Sequence, residues 1–122
     1  MRLGLVALLC GCLAGCSPDP EVGAASIVPG GDPGKGRELI LRNGCGSCHT
    51  IPGIPGADGV VGPPLTKFAL RSYIAGRIAN TPDNLVTWIH NPKQVDDKTA
   101  MPNMGIPKAE AMNIARYLYG LR

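Results

Sequence analysis

Two cysteines and a histidine fall within five consecutive positions, CGSCH at residues 45–49, in a chain of 122 residues. Any fold this chain adopts has to serve that run, and three chemistries use one like it: a disulfide redox switch, half of a zinc site, or covalent attachment of a haem. Each asks for different surroundings. A thioredoxin-type C-x-x-C opens a helix after a strand, inside a βαβ unit. A zinc finger or ribbon needs a second ligand pair at suitable spacing. C-x-x-C-H with neither is the spacing of c-type haem attachment.

The other cysteines narrow the choice. MRLGLVALLCGCLAGC, residues 1–16, has one positive charge at Arg2, an apolar run and then small residues. That is the layout of a secretory signal, with an apolar core too short for a comfortable membrane span. Leu13-Ala14-Gly15-Cys16 resembles the bacterial lipoprotein lipobox, which implies lipidation of Cys16 as the new N-terminus. An ordinary signal peptide that happens to contain a cysteine is the alternative. Residues 1–15 are therefore expected to be a lipoprotein signal peptide, removing Cys10 and Cys12 with it. Cys45 and Cys48 remain for the folded part, too few thiolates for an iron–sulfur cluster or a four-cysteine zinc site. Without Arg2 the charges are nearly balanced, eleven Lys and Arg against nine Asp and Glu. No basic run is present, so nucleic-acid binding is not expected.

Residues 16–33 are rich in Pro, Gly and Ser without a hydrophobic period, and read as a lipidated N-terminus followed by a flexible tether. Asp32-Pro33 then supplies an N-cap and a first-turn proline, and Asn43-Gly44 ends that helix directly before CGSCH. TIPGIPGADGVVGPPL is expected to be irregular loop. The spacing predicts a short helix over 65–76 and another from Thr81-Pro82 to Asn91-Pro92. Residues 93–107 read as loop, and a last helix starts near Pro107 with Ala111, Ile114, Ala115 and Leu118 on one stripe. The expected class is all-α: about four helices, long loops and no convincing strand. So few apolar residues around such long loops suggest that something else fills the core.

A haem would fill it. No sheet is expected to hold a redox C-x-x-C, and His90 is the only other histidine, so a second zinc ligand pair is missing. For haem, Cys45 and Cys48 add to the two vinyl groups and His49 is placed beneath the iron as an axial ligand. The chain resembles the monohaem class I cytochromes c, most closely the cytochrome c domain attached to some bacterial cytochrome oxidase subunits II. The marks are G-x-x-L-I before NGCGSCHTIPG, then VGPPL, LVTWIHNP, AMPNMG and IARYLYGL, over about residues 34–122. That domain is expected to be a small class I cytochrome c fold wrapped around one covalent haem c.

The resemblance also implies roles for single residues. Met101, the methionine directly before Pro, carries over as the second iron ligand, with Met104 as the rival. His90 is a third candidate, expected instead to be an exposed side chain. The Pro63 carbonyl accepts the other N–H of His49, and Leu65 packs against the haem edge; the alternative for Gly62-Pro63-Pro64 is a plain turn. Arg71 and Tyr73 resemble residues that hold a haem propionate, and Trp88 the aromatic beside the methionine, with a solvated face and ordinary core packing as alternatives. Gly36 and Ile40 with Ile114 and Tyr117 resemble the crossing of the terminal helices.

These readings imply a tethered electron carrier, not an enzyme, exported and held at the bacterial cell membrane by lipid. Its domain would face the periplasm or cell exterior, and its partners would be respiratory redox proteins such as a quinol-oxidising complex or a terminal oxidase. The rival is a haem peroxidase or gas sensor with an open sixth iron position.

Overall fold

The computed structural model describes residues 28–122. Among the described residues four α-helices dominate: α1, Pro33–Arg42; α2, Pro82–His90; α3, Pro92–Val95; and α4, Lys108–Leu118. Asp32 opens α1 with an extended backbone and a carboxylate that accepts the Lys35 N–H at 2.9 Å. Pro33 takes the first position, where a missing N–H leaves no bond unmade. Asn43 closes the helix by donating its side-chain amide to the Leu39 carbonyl at 2.8 Å. Thr81 caps α2 in the same way as Asp32, accepting from the Asn84 N–H at 3.4 Å.

The first and last helices cross without a spacer. A Cβ at Gly36 would stand 2.0 Å from the Asn113 carbonyl oxygen and 3.1 Å from Tyr117 Cβ. Only glycine allows that approach, and it lets Leu39 and Ile40 of α1 share the core with Ala111, Ile114, Ala115 and Leu118 of α4. Helix α2 packs on α4 as well, through buried Leu85 and Ile89.

Three stretches differ from the sequence expectation. Residues 65–76 are not a helix: Lys67 adopts φ +51°, a 3-10 turn covers Phe68–Leu70, and a hairpin follows. Its strands, β1 Tyr73–Ile74 and β2 Ile78–Ala79, pair antiparallel with Tyr73 opposite Ala79. Side chains satisfy the carbonyls that a helix would have used. Arg71 donates to the Pro64 and Thr66 carbonyls, and Asn80 to those of Phe68 and Arg71 at 3.1 and 3.0 Å. The expected loop over 93–107 begins inside the single-turn α3.

The tether is also shorter than its composition suggests. Val28 is 2% exposed, and the Asp32 N–H donates to the Asn113 side chain at 2.8 Å, so the chain is packed onto α4 before α1 begins. The expected signal peptide, Cys16 and the rest of the tether lie outside the described residues. No helix among the described residues is long and apolar enough to cross a membrane.

Candidate functional site

Gly44, at φ +65°, turns the chain from the end of α1 into a 3-10 turn over Cys45–Ser47. The Cys45 carbonyl accepts two N–H groups, from Cys48 at 3.3 Å and from His49 at 3.0 Å. Residues three and four apart on such a turn are neighbours, so both cysteines and the histidine stand together. Both cysteines are half-buried, and neither is in a disulfide.

His49 is fixed by a second segment. Its Nδ1 lies 2.7 Å from the Pro63 carbonyl oxygen, which can only accept, so Nδ1 carries the proton. The lone pair of Nε2 is thereby left as the metal-binding position. The Pro63 segment is itself held, because the Gly62 N–H donates to the Cys48 carbonyl at 2.8 Å. The ring lies so close to this backbone that a Cβ at Gly62 would be 2.3 Å from His49 Cε1. One turn earlier, the Gly59 N–H donates to the Gly46 carbonyl at 3.0 Å, and a Cβ there would meet the Ser47 carbonyl at 2.5 Å. Segment 59–62 thus lies flat on the backbone of the cysteine turn. Val60 and Val61 between the two bonds are 88% and 78% exposed.

The intervening loop is ordered by two successive turns of one design. Ile51-Pro52-Gly53-Ile54 closes with the Ile54 N–H on the Ile51 carbonyl, and Ile54-Pro55-Gly56-Ala57 with the Ala57 N–H on the Ile54 carbonyl. Gly53 at φ +79° and Gly56 at φ +71° sit where a type II turn needs a left-handed residue, after a proline. Ile51, Ile54 and Ala57 are buried, so the repeated IPG drives one apolar side chain per turn into the core. Tyr117 of α4 secures the first turn by donating its hydroxyl to the Pro52 carbonyl at 2.7 Å.

The remaining residues singled out in the sequence surround this nucleus to different degrees. Leu65 is half-buried against the core, its N–H donating to the Thr50 carbonyl at 2.8 Å. Arg71 folds onto the Pro64 and Thr66 carbonyls with its guanidinium 5.6 Å from the Phe68 ring centre, and Tyr73 is 63% exposed on β1. Trp88 is half-buried against the core. Met101 is half-buried, its N–H donating to the Thr99 hydroxyl at 3.2 Å, whereas Met104 is 45% exposed. His90 departs from the expectation of an exposed side chain. It is half-buried and its Nδ1 stands 2.6 Å from the Ile106 carbonyl oxygen.

Two features went unread in the sequence. Gly62 stood out as half of a turn and not as room for an imidazole, and the contact becomes visible only once His49 is placed. His90 gave no signal of its bond to Ile106, because its partner is a backbone group sixteen residues away.

Comparison with known proteins gives the frame. A "Cytochrome c oxidase subunit 2" of Alkalihalophilus pseudofirmus is 35% identical over 68 residues, a stretch that is 56% of this chain and 19% of that protein. This chain therefore corresponds to a small part of that relative's length. The family described as Cytochrome c matches residues 34–122, from the start of α1 to the C-terminus. The chain belongs to the cytochrome c family, and a covalently attached haem c is its cofactor.

Proposed function

We propose that this protein is a membrane-tethered c-type cytochrome that carries single electrons between respiratory redox partners through a haem with His49 and Met101 as axial ligands. The observation that carries the reading is the His49–Pro63 bond beside the two cysteines of the same turn. It sets one imidazole nitrogen as donor and leaves the other as ligand, within the turn that holds both attachment groups.

The residues present fit haem c. Cys45 and Cys48 supply the two thiols for thioether bonds, and the bare backbone of Gly62 lets the His49 ring sit where a side chain would exclude it. Pro63, by accepting from Nδ1, fixes the ring's orientation and leaves Nε2 to face the metal position. When bound, the haem supplies a one-electron iron couple. A thioether from Met101 as the second ligand favours the ferrous state and raises the potential. Met101 is preferred over Met104 because it is the less exposed of the two. Leu65 and Trp88 are assigned to the apolar wall, and Arg71 and Tyr73 to the propionates. Were His49 and Met101 both to hold the iron, no substrate would reach the metal, and the chemistry would be outer-sphere electron transfer, not catalysis.

A terminal oxidase is the partner class suggested by the name of the relative, with a quinol-oxidising complex as the source of electrons. The anchor is assigned to lipid on Cys16, which places the protein at the bacterial cell membrane with its domain outside the cytoplasm. Oxygen uptake by oxidase-containing membranes, supplied with the reduced protein, tests the carrier role. Sustained uptake is expected; peroxide turnover without oxygen uptake would overturn it. The anchor has its own test, since Cys16→Ala should release the protein from the membrane fraction, and retention would rule the lipid out.

A further inference from the structure

Helix α2 runs into the sequence His90-Asn91-Pro92-Lys93, and three of these four side chains reach the same loop. His90 donates from Nδ1 to the Ile106 carbonyl at 2.6 Å, at the far end of the loop. Asn91 accepts from the side-chain amide of Asn103 at 3.3 Å, near the middle. Lys93 donates to the Thr99 carbonyl and, at 3.3 Å, to the Asp97 carbonyl, at the near end. Among the described residues, these side chains make the side-chain hydrogen bonds that tie 99–106 to the rest of the fold. One backbone bond also leaves the loop, from the Thr99 N–H to the Asp96 carbonyl at 3.1 Å, at its near edge. The other bonds are internal: the Met101 N–H to the Thr99 hydroxyl, and the Gly105 N–H to the Asn103 side chain.

The platform beneath the three side chains is packed into the core. Ile89 is 5% exposed and Pro92 is among the most deeply buried residues. Ile106 is buried too, so the loop is fixed at that end by both its side chain and its carbonyl. Between the fixed points lies Met101.

We propose that His90, Asn91 and Lys93 form a clip that sets how firmly the Met101 loop is held closed. They are positioning residues and touch the metal site only through the loop. The inference rests on the reading that Met101 is the second axial ligand. Losing one such hydrogen bond should raise the open fraction of the loop about five- to thirtyfold. The apparent affinity for an external ligand then rises in the same proportion, because it scales with the open population.

The test is a carbon monoxide titration of the reduced, full-length holoprotein, with Met101→Ala as the open reference. His90→Leu should bind carbon monoxide at least about fivefold more tightly than wild type. His90→Asn, which keeps an N–H near the position of Nδ1, should return most of the way to wild type. Lys93→Met, at an exposed site that threatens folding least, should shift in the same direction. Thermal unfolding of each variant separates the clip from a merely structural role, which would lower Tm without changing the titration. Wild-type affinity in both His90→Leu and Lys93→Met, while Met101→Ala binds, overturns the clip and leaves the ligand assignment standing. Binding by wild type as tight as by Met101→Ala overturns the assignment, and the clip with it.

Discussion

A hydrogen atom at Gly62, in place of a methyl group, makes the room in which His49 sits. Gly62→Ala would put a Cβ 2.3 Å from Cε1 and 2.9 Å from Nε2, against a ring whose other side of the hinge is bonded to Pro63. Relief requires moving the ring, and overpacking of this kind costs about 1–3 kcal/mol. Denaturant unfolding should register that loss, together with a changed absorption spectrum of the holoprotein; an unchanged spectrum would mean that the ring can slide. Asn80 is a second residue with more weight than the sequence suggested. It donates to the Phe68 and Arg71 carbonyls and accepts from the Tyr119 hydroxyl at 2.8 Å. Asn80→Ala should lower stability by about 2–4 kcal/mol, since three partners lose their bond at a half-buried site; a loss under about 0.5 kcal/mol in denaturant unfolding would contradict this. Cys45, Cys48 and His49 were legible because attachment chemistry demands those residue types at that spacing. Asn80 was not, because an asparagine that serves three distant groups looks the same as one that caps a turn.

At the scale of elements, the helices with polar N-caps were readable from either end. Asp32-Pro33 and Thr81-Pro82 place cap and first turn in adjacent residues, and Asn43-Gly44 ends α1 where its polarity pattern stops. The stretch 65–76 misled because Leu65, Phe68 and Ala69 are spaced like a helix face. Left-handed Lys67 and the side chains of Arg71 and Asn80 break that helix, and none of these is visible as a period. Its hairpin turns at Ala75-Gly76, both with positive φ, where asparagine or glycine is the usual first residue. A left-handed alanine is strained by about 1–2 kcal/mol. Ala75→Asn should therefore raise Tm by several degrees, on the order of 4–8 °C per kcal/mol for a domain of this size. A fall in Tm would show that the turn is not strained. At the helix crossing the sign reverses: Gly36→Ala drives a methyl into the Asn113 carbonyl, a backbone atom that cannot rotate away. Denaturant unfolding should show a loss of at least about 1–3 kcal/mol, and wild-type stability would mean that α1 and α4 can separate.

At the scale of the whole molecule, the terminal helices, the IPG turns and the hairpin share one core among the described residues, and Tyr119 joins the end of α4 to the segments on either side of the hairpin. It is buried at 5% exposure, edge-on to Phe68 with ring centres 6.0 Å apart, and bonded to Asn80. Burial raises its phenol from the ordinary 10.0 to about 12. The folded protein thus keeps a proton that the unfolded chain releases, so the stabilisation is whole below pH 10 and is lost as pH rises through 12. The drop in Tm over that interval should be steeper in wild type than in Tyr119→Phe; parallel curves would mean that the phenol is not held neutral by the fold. The central claim, that an iron closed by two ligands from this chain passes electrons and binds no substrate, is tested most directly by absorption spectra. The reduced holoprotein would be recorded with and without carbon monoxide, for wild type, Met101→Ala and Met104→Ala. Wild type and Met104→Ala are expected to bind carbon monoxide far more weakly than Met101→Ala does. Ready binding by wild type would contradict the account and point to an open-site sensor or peroxidase.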